Sequence, residues 1–509
     1  MKIYENMPFP PINLINFKMR EHSAWYSGDP SILANFYSMN PNNTLLGNDL
    51  LLRNTMFWSR QIKNKSDLSI HVPIAGDIAE TSANFLFSEA PSIKVSQANT
   101  EESASQSYIK AQDDIIKMAD KINLFRKINE AAETSAGMGG VYVKIAWDEE
   151  LSEYPIPVIV QADKAIPEFR FGIMTKVTFW TELEMDGKDK DKCVYRLLET
   201  YEKGSIVTEL YKGTSDRLGT KENLKAYPET QDIEELVETP DALFAVYIPN
   251  VLPNRILRSS CLGRSDYAGI EGLMDSLDET FTAWMKDISI AKGKILVPEC
   301  YLNKVDEFNN DQTVFIKLDV DPISESGKLI TATQFDIRAD KFEKTSLNLL
   351  ERIITSAGYS PQSFGLNIEG RAESGTALEL RERKSFATKN KKSQYWQPAL
   401  VRIIELLILA YSEELGGDIE LDSEISVAIS DGITNNLNEV ATSVKMLSDA
   451  MSASTETRVK LIHPEWTNKQ IQAEVKKINN ENSVGNPDNN PDLIQIEKGK
   501  VNKEDDLEE

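Results

Sequence analysis

The apolar positions of this chain change period several times, and the changes divide it into blocks. Aromatics mixed with loop formers fill the first 60 residues, as in Trp25-Tyr26-Ser27-Gly28-Asp29-Pro30 and Met56-Phe57-Trp58-Ser59-Arg60. Ile78, Phe85 and Leu86 then share one helical face, and Asp77 stands where an acid favours a helix N-terminus. Helical spacing at Ile109, Ile116, Ile122, Phe125 and Ile128 predicts a second helix over about Ser103 to Ala136. From Gly137 the period shortens to two. Strands are expected at Val141–Trp147, 155–161, 177–180, 194–201 and 206–212, with Asp186-Gly187-Lys188-Asp189 as a turn.

The helical period returns after Ser265, an expected N-cap. Ile270, Met274, Leu277, Phe281, Trp284 and Ile288 follow steps of 4, 3, 4, 3 and 4, a heptad seam suited to packing on another helix. That partner is supplied by Phe342, Leu347, Leu350, Ile353 and Ile354, a second amphipathic stretch ending at Gly358, a good C′ residue. Two antiparallel struts are expected, with short strands at 294–297 and 314–317 between them. Pro361, Gly365, Gly370 and Gly375 then exclude a continuous helix. A long helix starts near Ser374-Gly375-Thr376, and a kink is expected at Pro398. One more strand is expected at 425–429 and helices at 438–451 and 468–480. From Glu481 the composition is that of a polar, disordered tail.

Charge changes the picture locally. The chain carries 56 basic and 80 acidic residues, a net −24, so its average surface does not suit nucleic acid or anionic membrane. Between Arg381 and Lys392 the sign inverts: Arg381, Arg383, Lys384, Lys389, Lys391 and Lys392 stand against Glu382 alone. Such a run is either a solvated helix face or a local site for an anion. Cys193, Cys261 and Cys300 give no disulfide framework or metal motif, as expected of a reducing compartment. The N-terminus lacks the apolar core of a signal peptide, and 400–411 is too short to span a bilayer.

Catalytic chemistry finds little support. Gly137-Met138-Gly139-Gly140 precedes a strand, whereas a phosphate-cradling loop needs a helix N-terminus after its glycines. His22, His71 and His463 lack a second ligand at metal spacing, and acid pairs such as Glu182/Glu184 arise by chance among 80 acids. No enzyme, metal or cofactor is expected.

The order of the blocks resembles the portal (head-to-tail connector) proteins of tailed bacteriophages, of the siphophage type. The resemblance is carried by WYSGDP, by FWSR followed by HVPIAGDIAETSANFLF, and by GRSDYAGIEGLMDSLDETFTAWMKDI. It continues in GYSPQSFGLNIEGRAESGTALELRERK and in ISDGITNNLNEVATSVKMLSDAMSASTETRVKLIHPEWTNKQIQAEV. It spans nearly the whole chain in order.

That resemblance implies an α+β portal-type fold assembled as a ring. Its parts would be a wing (1–260 and 377–435), stem helices (265–292 and 336–357), a clip (293–335), a tunnel loop (358–375) and a helical crown (436–480). It implies a homododecamer at one capsid vertex of the virion, assembled in the host cytoplasm, passing double-stranded DNA during packaging and ejection. Implied partners are the terminase large subunit, a head-completion or adaptor protein, scaffolding protein and major capsid protein, with no membrane. Gln362, Asn367 and Arg371 are then candidates for transient contacts with DNA. The basic cluster would line the channel or, preferably, pair with acids of the adjacent subunit. Alternatives are a capsid-interior or scaffold-binding protein without a DNA role, and a metal-dependent nuclease.

Overall fold

The structure, a computed structural model, describes residues 3–11, 13–38, 56–61, 69–96, 104–183, 193–291, 294–298, 315–318, 331–333, 336–366, 375–417, 419, 424–429, 437–463 and 468–484. It is α+β, as the alternating periods imply. The chain divides into two compact units, 1–430 and 431–509.

The aromatic N-terminal region is more helical than its loop formers suggest. It holds α1 (Leu14–Tyr26), α2 (Pro30–Ser38) and the single turn α3 (Phe57–Gln61), followed by α4 (Ile74–Phe87). Asn13 caps α1 by accepting from Asn16 N at 2.8 Å. Asp77 does fall in the first turn of α4, and Ile78 and Leu86 are buried. The long helix expected over 103–136 is two, α5 (Ala104–Lys121) and α6 (Leu124–Met138). Asn123 at φ +52° separates them, a left-handed residue that a continuous α-helix does not admit. The break rotates the apolar stripe. Ile115, Met118, Ile122 and Ile128 are buried, while Ile116, expected in the stripe, is exposed.

The β-rich block contains two antiparallel sheets. In the first, β2 (Gly140–Ala146) lies between β10 (Ala245–Pro249) and β3 (Ile156–Gln161). The second runs β4 (Ala165–Arg170), β5 (Ile173–Leu183), β6 (Val194–Glu202), β7 (Ser205–Thr214) and β8 (Arg217–Glu222), with β9 (Leu236–Glu238) also on β7. The strands that alternation does not reveal are β4, β8, β9 and β10, which are short or buried on both faces. The N-terminal segment closes over the larger sheet: Met7 and Phe9 pack with Trp180, Leu198, Tyr211 and Leu218. Arg196 is fully buried there, bound to Glu182 and to the carbonyls of Thr214, Ser215 and Arg217. The turn expected at Asp186–Asp189 lies outside the described residues.

α7 (Glu271–Ile290) and α8 (Ala339–Ala357) form the strut pair, and β11 (Lys294–Pro298), β12 (Phe315–Leu318) and β13 (Thr331–Thr333) form a small mixed sheet between them in sequence. α7 begins five residues later than an N-cap at Ser265 implies. Gly269 takes φ +91°, so Tyr267–Gly269 is a turn and not helix. Ser265 is therefore no N-cap; its hydroxyl donates to Ala136 O. After the turn at Pro361–Phe364 comes α9 (Gly375–Glu413), which runs through Pro398 without ending there. Trp396, Leu400, Ile403, Ile404, Leu406 and Leu407 bury its C-terminal half against α4–α6 and β2. β14 (Glu424–Ala428) pairs with β1 (Ser92–Ser96), tying the end of this unit to its beginning.

Among the described residues the second unit holds three helices: α10 (Leu437–Asp449), α11 (Thr455–Ile462) and α12 (Asn468–Val484). Ser454 caps α11 through Thr457 N at 3.2 Å. Short α11 has too little period to be read from sequence alone.

Candidate functional site: the strut pair and the turn at its head

The heptad seam meets α8 along its length, and the helices run antiparallel. At one end Ile270, Met274 and Leu277 are buried with Ile353, Ile354 and Ala357. In the middle Phe281 packs among Leu349 and Leu350. Further along, Trp284 stacks on Phe342, with ring centroids 6.1 Å apart and planes 8° from parallel. At the other end Asp287 Oδ1 accepts from Arg338 Nη2 at 2.7 Å. Ile288, the last seam residue, is exposed.

The buried end of α7 is unusually polar. Three acids of its first two turns face inward at i, i+4 and i+7, the spacing of the apolar seam itself. Each finds donors from the N-terminal helices. Glu271 Oε1 is 3.1 Å from His22 Nε2 and 3.4 Å from Lys18 Nζ, while Gly269 N donates to Oε2 at 2.9 Å. Asp275 accepts from Phe57 N at 2.7 Å and Trp58 N at 3.2 Å. Asp278, fully buried, accepts from Trp58 Nε1 at 2.9 Å and Val72 N at 2.9 Å and lies 2.7 Å from His71 Nδ1. These bonds hold α1, α3 and the entry to α4 onto the strut.

Their electrostatics differ in sign. Burial raises Glu271, but the hydrogen bond with His22 and the charge of Lys18 outweigh it and hold the carboxyl down at about 2. For Asp275 burial wins over its two backbone donors and, with Asp278 nearby, pushes the carboxyl up to about 6.

The turn at the head of α8 is equally fixed. Gly358 caps the helix at φ +106°, where an added Cβ would sit 2.9 Å from Thr388 Oγ1; that hydroxyl donates to Gly358 O at 2.6 Å. Ser360 N donates to Ser385 Oγ at 2.9 Å, and Ser363 Oγ lies 2.8 Å from the same oxygen. Tyr359 is buried, and its hydroxyl donates to Asp266 Oδ2 at 2.8 Å. Lys392 Nζ reaches the same oxygen at 2.5 Å and also donates to Ser82 Oγ at 2.6 Å and Tyr359 Oη at 3.1 Å. Asn250 Nδ2 supplies Asp266 Oδ1 at 2.8 Å. One ion pair thus joins α4, the segment before α7, the turn after α8, and α9.

This placement corrects one expectation. Lys389 and Lys392 are 2% and 1% exposed, so neither is a surface charge available to a channel or a neighbour. Lys392 answers an acid of its own chain. Arg383, Lys384 and Lys391 are exposed, with Lys384 donating to Thr355 O. Arg381 lies in α9, but its side chain is outside the described residues, as are Asn367 and Arg371. Gln362 is half-buried in the turn. Sequence reasoning missed Asp266, Asp275, Asp278 and Tyr359; the one available signal was acids at helical positions that the seam already claimed. Among the described residues no group of His, Cys, Asp and Glu could hold a metal ion, and no helix is long and apolar enough to cross a membrane.

A family model for phage portal proteins of the SPP1 Gp6-like type matches residues 18–487. The chain belongs to that family. It is a portal protein, a head–tail connector of a bacteriophage virion. Two solved structures resemble this portal protein at 11% identity. The neck of an empty gene transfer agent particle, computed with C6 symmetry, aligns over 77% of this chain and 90% of its own with a TM-score of 0.39. The virion of a native gene transfer agent particle aligns over 90% and 96% with a TM-score of 0.36. No curated protein matches the chain.

Proposed function

We propose that this portal protein assembles as a ring of twelve subunits at one capsid vertex, whose central channel passes double-stranded DNA during packaging and ejection. The observation that carries this reading is the antiparallel stem, which ends in a rigidly anchored turn at one end and departs toward a small sheet at the other. Taken alone, the stem leaves Ile288, Ile290, Ile337 and Leu347 exposed at 36%, 45%, 45% and 43%. Neighbouring copies around an axis would cover them. The same repetition would bring the 358–375 loops together as a constriction, with Gln362, Asn367 and Arg371 as contacts for the duplex. Those contacts are few for a physical reason. Each phosphate neutralised adds roughly 0.9 to the logarithmic salt slope of binding, and a sliding duplex tolerates little grip.

In this reading the sheet of β11–β13 and its connections form the clip, which docks the terminase large subunit and later the head-completion or adaptor protein. Scaffolding protein and major capsid protein join the ring during assembly, and no catalytic step is assigned to it.

Deletion of residues 362–373 tests the channel. Rings are expected to form, because the anchors at Gly358–Ser360 and Ser385–Lys392 remain, while DNA packaging in a reconstituted or complementation assay is lost. Undiminished packaging by intact rings would favour a capsid-interior role without DNA passage.

A further inference from the structure

Three cations of this acidic chain, Arg255, Arg264 and Lys391, lie close enough to influence one another. The Lys392–Asp266 ion pair fixes Lys391 and Arg264 on adjoining strands of chain, since each lies one or two residues from a member of the pair. Arg255 is brought to the same place by Asn254, a buried residue whose Nδ2 donates to Gly263 O at 3.0 Å and Leu262 O at 3.3 Å. The same Asn254 accepts through Oδ1 from Ile256 N at 3.0 Å and Leu257 N at 3.3 Å, shaping the turn that carries Arg255. Asn250 Nδ2, at 3.0 Å from Arg264 O, fixes the other side. The backbone that carries the three cations is thus placed by buried amides and a buried ion pair.

They also repel one another. Partial burial first, then Arg264 and Arg255, lower the Lys391 ammonium below its ordinary value. Arg264 is lowered by burial and by Arg255, against the opposing pull of Asp266. Arg264 Nε is buried without a hydrogen-bond partner. No carboxylate among the described residues forms an ion pair with Arg255, Arg264 or Lys391. Assembling like charges around an orphaned donor costs stability, and an incoming anion would offset that cost.

The neighbourhood distinguishes between kinds of anion. Ile256 and Leu257 stand exposed next to Arg255, at 38% and 44%. A phosphate backbone has nothing to cover two aliphatic side chains, whereas a protein surface does. Arginine beside exposed apolar groups is the composition of an interface anchor.

We propose that Arg255, Arg264 and Lys391, with Ile256 and Leu257, form a docking face for carboxylates on a second copy of this chain. The complementary charge is abundant: each copy carries 80 acids against 56 bases. This face rests on the ring reading above and specifies one of its subunit contacts. It replaces the wider basic run of α9 with a smaller set that reaches the surface and forms no ion pair among the described residues.

Two measurements on the full-length protein test it. Wild-type rings made from mixed light and 15N-labelled chains are treated with a carbodiimide, which joins an amine to a contacting carboxylate. A Lys391 crosslink between a light and a heavy chain is expected by mass spectrometry; crosslinks of Lys391 confined to one chain, or none, would overturn the proposal. The double variant Arg255→Glu/Lys391→Glu is expected to raise the concentration for half-assembly by on the order of tenfold or more in mass photometry, with an unchanged circular dichroism spectrum. Rings that assemble at the wild-type concentration would overturn this interface alone. Rings intact but with weakened binding of a short DNA duplex would overturn it in favour of a phosphate site. A wild-type protein that forms no rings would remove the ring reading and this contact together.

Discussion

Replacing Lys392 with methionine is expected to destabilise the 1–430 unit by about 3–5 kcal/mol, the usual cost of breaking a buried ion pair from one side. Lys392 and Asp266 are 1% and 2% exposed at their side chains, so water cannot take the place of the missing ammonium. Burial first, and then the charge of Arg264, lower the Lys392 pKa, and the charge and hydrogen bond of Asp266 oppose them. The expected loss is therefore mostly the orphaned carboxylate of Asp266 and not the net worth of the pair. The double variant Lys392→Met/Asp266→Asn separates the two: it should recover a large part of the loss in urea unfolding followed by circular dichroism. If the single and double variants were equally destabilised, the anchor would act by packing and not by charge.

The second large effect is a pH dependence at the buried end of the strut pair. Glu271 has its folded pKa depressed from 4.5 to about 2, so its contribution is present above pH 4.5 and is lost as pH falls toward 2. A shift of that size corresponds to about 3 kcal/mol. Asp275 works the other way. Its pKa is raised from 3.8 to about 6, so ionising it costs stability as pH rises through that window. The two windows barely overlap, which allows them to be separated. The stability gap between wild type and Glu271→Gln is expected to be about 3 kcal/mol at pH 6, to shrink as pH falls toward 2, and to close below it, where Glu271 is itself neutral. A gap that does not change with pH would show that Lys18 and His22 do not stabilise the ionised form.

The parts of this fold that could be read from sequence were those with a long, one-sided period. The seam from Ile270 to Trp284 packs on Phe342, Leu350, Ile353 and Ile354 as their spacing demands, whereas Leu347, expected in the same stripe, is exposed; Gly358 ends α8 where a left-handed cap is needed. Local backbone exceptions defeated the same reasoning nearby. Asn123 and Gly269 at positive φ divide or shorten helices whose apolar spacing runs on without a break. Buried polar residues were harder still. Asp275 and Asp278 sit on the inward face of α7 because backbone and indole N–H groups from residues 57–72 reach them, and no local pattern announces donors 200 residues away. Lys392 misleads for the same reason. It closes a run of cations in sequence, but the helix turns it toward Asp266, 126 positions earlier.

The β-rich block shows a related limit. Alternation identified strands with one wet face, such as β6 and β7, and passed over β10, whose Ala245, Val246 and Ile248 are all buried. Pairing partners were not readable at all. β1 and β14 lie more than 300 residues apart and meet only in the folded chain.

The ring depends on repetition: the strut pair leaves apolar side chains, and the 255–264 segment with α9 a cation cluster, that the described residues of one copy do not cover. Electron microscopy of the purified full-length protein is the most direct measurement. Closed rings are expected, with the helices of 271–290 and 339–357 packed side by side around an open passage wide enough for a duplex. Solitary particles at every salt and protein concentration, or rings whose centre is filled by another part of the chain, would contradict it.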